Sequence, residues 1–128
     1  KDLAGKKVGV VTGSTGDDMA SREFGKTNPD IRRFESTPVV ISELANGGVD
    51  AAIGDNGVIA FRTQEHKHLK TVSDANFPKE FFGIVVKQGN KDLLDKLNKG
   101  LAAVKADGSY AQIFKKWFQA EAPTLPAQ

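Results

Sequence analysis

Runs of β-branched residues too short to be helices alternate with helix-length apolar patterns from Lys7 to Val72, and this alternation constrains the chain more than any other feature. Lys7-Val8-Gly9-Val10-Val11 reads as a buried strand closed by the glycine-rich turn Thr12-Gly13-Ser14-Thr15-Gly16. A helix follows, with Asp17 and Asp18 in its first turn, where carboxylates meet the positive end of the peptide dipole, and with Met19, Ala20 and Phe24 on its apolar side. Asn28-Pro29-Asp30 breaks that helix, and Ile31 to Phe34 forms a second strand. Thr37 is the expected cap of the next helix, with Pro38 at its first position. Val40, Ile41, Leu44 and Ala45 share one face, Gly47-Gly48 stops the helix, and Val49 to Ile53 forms a third strand ending at Gly54-Asp55. Asn56 opens another helix as far as Gln64, and Leu69 to Val72 reads as a short fourth strand. Strands and helices alternating at these lengths are joined by right-handed crossovers, so the expected class is α/β, a three-layer sandwich with a mostly parallel sheet flanked by helices.

After a turn at Asn76-Phe77-Pro78 the pattern changes. Phe81 to Lys87 is one more strand candidate, and from Asn90, an apt N-cap, Leu93, Leu94, Leu97, Leu101 and Val104 recur at helical spacing until Asp107-Gly108. Ser109 is the expected cap of a last helix with Tyr110, Ile113, Phe114, Trp117 and Phe118 on its apolar face. At that spacing Tyr110, Phe114 and Trp117 read as core, with Lys115 and Lys116 facing water. Residues 121–128 read as a frayed tail.

A chain of 128 residues suffices for one domain with a core of its own. The formal charge is +2 and the basic residues form no block, which argues against nucleic acid as a partner. No apolar run approaches the roughly 18 residues needed to span a bilayer. No charged-then-apolar leader precedes Lys1, so any signal peptide is expected to have been removed or never included. Without cysteine, disulfides and thiolate chemistry are excluded.

In an open parallel sheet, ligands bind beyond the carboxyl ends of the strands. Two such ends carry chemistry here. The turn Thr12 to Gly16 combines glycines that permit close backbone approach with hydroxyls and N–H groups that can receive an anion at a helix start. Asp17-Asp18 stands where a phosphate loop needs lysine, so a singly charged carboxylate suits it better than a polyphosphate. A tight turn with no ligand would read the same way. Asp55, between a strand and a helix, could receive an ammonium group, or it or Asn56 could simply cap the helix. Together the two ends have the polarity of a zwitterionic amino acid.

Five segments resemble, in order, the polar amino-acid binding proteins of ABC importers. They are Asp2-Leu3-Ala4-Gly5-Lys6-Lys7-Val8-Gly9-Val10, Thr12 to Gly16, Leu44 to Ala52, Phe82-Gly83-Ile84-Val85-Val86-Lys87, and Ala106 to Phe118, the last being the most specific. The resemblance implies one lobe of a periplasmic-binding-protein type 2 flytrap, in which two α/β lobes close over the ligand. It implies that residues 1–80 are the second lobe, and that 81–120 are the return strand and carboxy-terminal helices of the first. Because that home lobe is mostly absent, Phe82 to Lys87 is expected to fill a vacant strand position in the second lobe, with the last helices docking there. Carried over by residue, Thr15 contacts the ligand carboxylate with Ser14, Gly16 and the adjacent backbone, and Asp55 takes the α-ammonium. The family's arginine clamp and aromatic walls belong to its first lobe. Arg22, Arg32, Arg33 and Arg62 do not match the clamp and read as solvated. The implied partners are a free amino acid and an importer permease, for a monomer in the periplasm or lipid-anchored outside a Gram-positive cell, with no cofactor.

Other chemistry is less well founded. His66 and His68 sit in a polar loop without a nearby third metal ligand. Ser14 has neither a GxSxG setting nor a matched histidine, and Asp17 with Asp18 reads as a surface pair at a helix start, so no catalytic residue is assigned. The runner-up is a periplasmic cyclohexadienyl (prephenate or arogenate) dehydratase on the same fold, for which Asp55 would be the sole acid or base available. A third reading is the sensor lobe of a receptor.

Overall fold

The computed structural model describes residues 2–72 and 77–125. The chain divides into two compact units, residues 1–73 and 74–128.

In the first unit, β1 (Val8–Val11), α1 (Thr15–Phe24), β2 (Ile31–Phe34), α2 (Thr37–Ala45), β3 (Ala51–Ala52) and α3 (Asn56–Thr63) follow one another. The sheet order is β2-β1-β3 and both pairings are parallel, Val8 lying opposite Ile31 on one side and Ala51 on the other. Side chains of β1 alternate between two covered faces. Val8 and Val10 are fully buried with Ala20 of α1 and Ile31, and Leu3, Phe24 and Ile53 close around them. The opposite face belongs to α2: a Cβ on Gly9 would lie 3.1 Å from Val40 and 3.2 Å from Val49. Glycine at that position lets α2 approach the central strand closely. Helices on both faces of a parallel sheet give the three-layer α/β architecture expected from the alternation.

Helix starts are shifted from the expected residues. Ser36, not Thr37, occupies the N-cap of α2, so Pro38 stands one place further in, where its missing N–H still costs nothing. The strand after α2 is shorter than Val49 to Ile53, although Asp50 N–H and Ile53 N–H still bond Lys7 and Gly9 carbonyls at 2.8 and 3.0 Å.

Leu69 to Val72 is not a strand. Nor is Phe81 to Lys87, where Phe82 is 85% and Val85 93% exposed. β-propensity reflects fit to a pleated, half-buried surface, so strand-like composition alone does not make a strand. Among the described residues the sheet consists of β2, β1 and β3.

The second unit contains α4 (Lys91–Ala106) and α5 (Ser109–Phe118), packed against each other. Asn90 caps α4 through a bond from Leu93 N–H. Gly108, left-handed at φ 79°, holds the N-cap of α5 in place of Ser109, whose N–H goes to Asp107 at 2.8 Å. Tyr110, Phe114 and Phe118 form a half-buried aromatic row, with ring centroids 6.0 and 4.6 Å apart. Trp117, expected in the core with Tyr110 and Phe114, is about half exposed, as is Ile113 of the same apolar face. The turn at Asn76-Phe77-Pro78 and the tail to Gln128 fall partly outside the described residues.

Candidate functional site

α1 carries the chain from β1 to β2 on one side, and α2 carries it back past β1 to β3 on the other. The order of strand addition therefore reverses at β1, and such a switch point opens a crevice at the carboxyl ends of β1 and β3. Two residue groups meet there. The turn from Gly13 to Gly16 leaves β1, and Gly54-Asp55 leaves β3. Their closeness is visible at Gly16, where an added Cβ would lie 2.9 Å from the Ile53 carbonyl oxygen. Thr15 and Asp55 thus share one edge of the sheet, as expected.

The turn is tightly organised. Gly13 adopts a left-handed φ of 69°, which glycine tolerates without strain. Ser14 is the N-cap of α1, its Oγ accepting Asp17 N–H at 3.2 Å. Accepting that bond leaves the Ser14 hydroxyl hydrogen available to a ligand. Thr15 is exposed and Gly16 buried, and as the first two residues of the helix their N–H groups have no intrahelical carbonyl to bond.

The first-turn acid behaves differently from a surface group. Asp17 is 8% exposed, and its carboxylate accepts Gly13 N–H at 3.0 Å and Ser21 Oγ–H at 3.2 Å. Arg33 Nε lies 2.9 and 3.1 Å from its two oxygens. The Gly13 N–H is the main influence holding the Asp17 carboxyl below its usual range; burial opposes it, and Ser21 and Arg33 add to it. Arg33 continues through Nη2 to Ser21 Oγ at 2.9 Å and to the Lys26 carbonyl at 3.1 Å. The expectation of a surface Asp17 is overturned, whereas Arg33 is exposed as expected but is held in an ion pair with that acid. The available signals were the spacing Ser14-x-x-Asp17, which is that of a capping box, and the period of two that puts Arg33 on the same face as Ile31.

Asp55 is the N-cap residue of α3 by position, but its side chain makes no capping bond and is exposed. Asn56 Oδ1 takes the Gly57 N–H instead, at 2.7 Å. The Asp55 carboxylate therefore faces solvent at the switch point, uncommitted to the helix. His66 and His68 stack edge to face, 6.0 Å between centroids, and among the described residues no three potential ligands gather as a metal site. A hollow of about 220 Å³, lined by Leu3, Phe24, Asp30 and Ile31 among others, lies at the amino edge of the sheet, away from the switch point.

A protein of Neisseria gonorrhoeae named for histidine binding is 41% identical over 117 residues, covering 90% of this chain and 44% of that protein. The ABC transporter arginine-binding protein 1 of Escherichia coli K12 is 32% identical over 123 residues, covering 91% of this chain and 49% of that protein. Among solved structures, the arginine-, lysine-, histidine-binding protein ArtJ of Geobacillus stearothermophilus superposes with a TM-score of 0.75 at 40% identity, over 94% of this chain and 53% of that one. The chain spans about half the length of the relatives it matches. These relatives are named for binding an amino acid and none for a reaction, so the dehydratase reading gains no support from them. The match to bacterial extracellular solute-binding proteins, family 3, runs from residue 8 to residue 120, through β1, the switch point and both units, and the chain belongs to that family.

Proposed function

We propose that this chain supplies half of a cleft that captures a polar or charged amino acid for an ABC importer. Residues 1–80 are the second lobe, and in the whole protein 81–120 are the return strand and last helices of the first. The ligand carboxylate is received by Ser14, Thr15 and Gly16, and the α-ammonium by Asp55. The observation that carries the reading is the juxtaposition at one sheet edge of the first turn of α1 with an acid that caps nothing. A helix N-terminus favours a carboxylate, and a free carboxylate beside it favours an ammonium group. The relatives' names make arginine and histidine the first ligands to try. The protein works as a monomer outside the cytoplasm, in the periplasm or lipid-anchored on a Gram-positive cell, with an importer permease as partner and without nucleic acid.

The test is calorimetric titration of the protein carrying both lobes with arginine, histidine, lysine and glutamine. Saturable binding without chemical change of the ligand is expected. No binding by any amino acid, or consumption of prephenate or arogenate, would overturn the proposal.

A further inference from the structure

We infer that Arg33 sets the carboxylate affinity of the turn without touching the ligand, by neutralising and holding Asp17. The inference rests on the proposed amino-acid site and adds to it two residues that do not contact the amino acid.

Asp17 places a buried negative charge inside the structure that is to receive a second one, since its carboxylate is bonded to the backbone of Gly13, next to Ser14. Left alone, that charge would oppose an incoming carboxylate across a poorly screened path. Arg33 meets both Asp17 oxygens through Nε, so the pair presents no net charge and the first-turn N–H groups keep their attraction for an anion. The guanidinium is also tied through Nη2 to Ser21 and to the Lys26 carbonyl, and these bonds direct it along α1. Arg33 is thus a positioning residue, distinct from a clamp that grips the ligand. The Asp17 carboxylate in turn accepts the N–H of the left-handed Gly13, which shapes the turn.

The experiment compares wild type, Arg33→Met, Asp17→Asn and the double variant in the two-lobed protein. Arginine and histidine are titrated alongside their carboxamides, and circular dichroism verifies folding. Arg33→Met should weaken binding of the amino acids about tenfold and leave the carboxamides within about twofold, because the carboxylate is the ligand group nearest the uncompensated charge and the one it repels, and the carboxamide puts no anion there. Adding Asp17→Asn should restore most of the loss, since asparagine can still accept the Gly13 N–H but carries no charge. Asp17→Asn alone, which stays informative if Arg33→Met fails to fold, should bind the amino acids at least as tightly as wild type. Equal weakening of acids and carboxamides, no recovery in the double variant, or weaker binding by Asp17→Asn would show a merely structural pair and overturn the inference. Unchanged affinity in Arg33→Met would do the same. Wild type that binds no amino acid would instead remove the site on which the inference rests.

Discussion

Arg33 on β2 lies with its Nε 2.9 Å from Asp17 Oδ1 on α1, and this ion pair ties the first turn of the helix to the strand at the edge of the sheet. Asp17 is nearly enclosed while the Arg33 side chain is 29% exposed, so the pair lies between a surface bridge and a buried one. Arg33→Met should therefore destabilise the first unit by about 1–3 kcal/mol. Urea unfolding of wild type and variant at neutral pH measures it; a difference within error would mean that solvent replaces the guanidinium without cost.

The same acid gives the protein a pH dependence of known sign. The folded-state pKa of Asp17 is lowered, first by the Gly13 N–H, so its contribution is fully present above the ordinary unfolded value of about 4. It is lost as pH falls through the lowered folded value. Asp17→Asn removes that contribution, so stability should fall less steeply below pH 4 in the variant than in wild type, while at pH 7 the variant is the less stable of the two. Unfolding series at pH 7, 4 and 3 test both halves of this statement.

Gly16 is where α1 presses on the end of β3. A methyl group there would meet the Ile53 carbonyl oxygen at 2.9 Å, and a backbone atom cannot rotate away. Gly16→Ala should cost about 1–3 kcal/mol, the usual penalty of overpacking, and should shift the amide resonances of Ile53 to Asp55. Unchanged resonances there would show that the helix start and β3 are not in contact.

Asp55 makes no capping bond, so its loss should not unfold α3. In the two-lobed protein, Asp55→Asn should weaken amino-acid binding by about tenfold to a hundredfold, the worth of a charge-assisted hydrogen bond of roughly 1.5–3 kcal/mol. Unchanged affinity by calorimetry would remove Asp55 from the site.

A chain of these 128 residues spans about half of its relatives' length, and on the proposed reading it holds one side of the cleft. Lacking the contacts of the other lobe, it should bind arginine or histidine no better than millimolar, since two missing charge-assisted contacts remove on the order of 3–6 kcal/mol. Amide shifts of Gly13 to Gly16 and Asp55 during titration would report it, and micromolar saturation would mean that the described residues form a complete pocket.

The alternation from Lys7 to Ile53 was enough to specify parallel strands, crossover helices and the edge shared by Thr15 and Asp55, because each of these follows from local period and from the handedness of the crossover. The glycine turn and the first-turn acids were legible for the same reason: φ at Gly13 and the helix start are decided within a few residues. Non-local partners were not legible. Leu69 to Val72 and Phe81 to Lys87 have the composition of strands, but a strand exists only when another offers its hydrogen bonds, and among the described residues neither segment is a strand. The capping-box spacing at Asp17 hinted at its role, but its ion pair follows from the pairing of β2 beside β1 with Arg33 opposite Val10, which directs the guanidinium at the first turn of α1. Sequence determined which segments become helix, turn and strand up to Ile53; only the tertiary structure decided which charges are buried together, because that depends on register between elements distant in the chain.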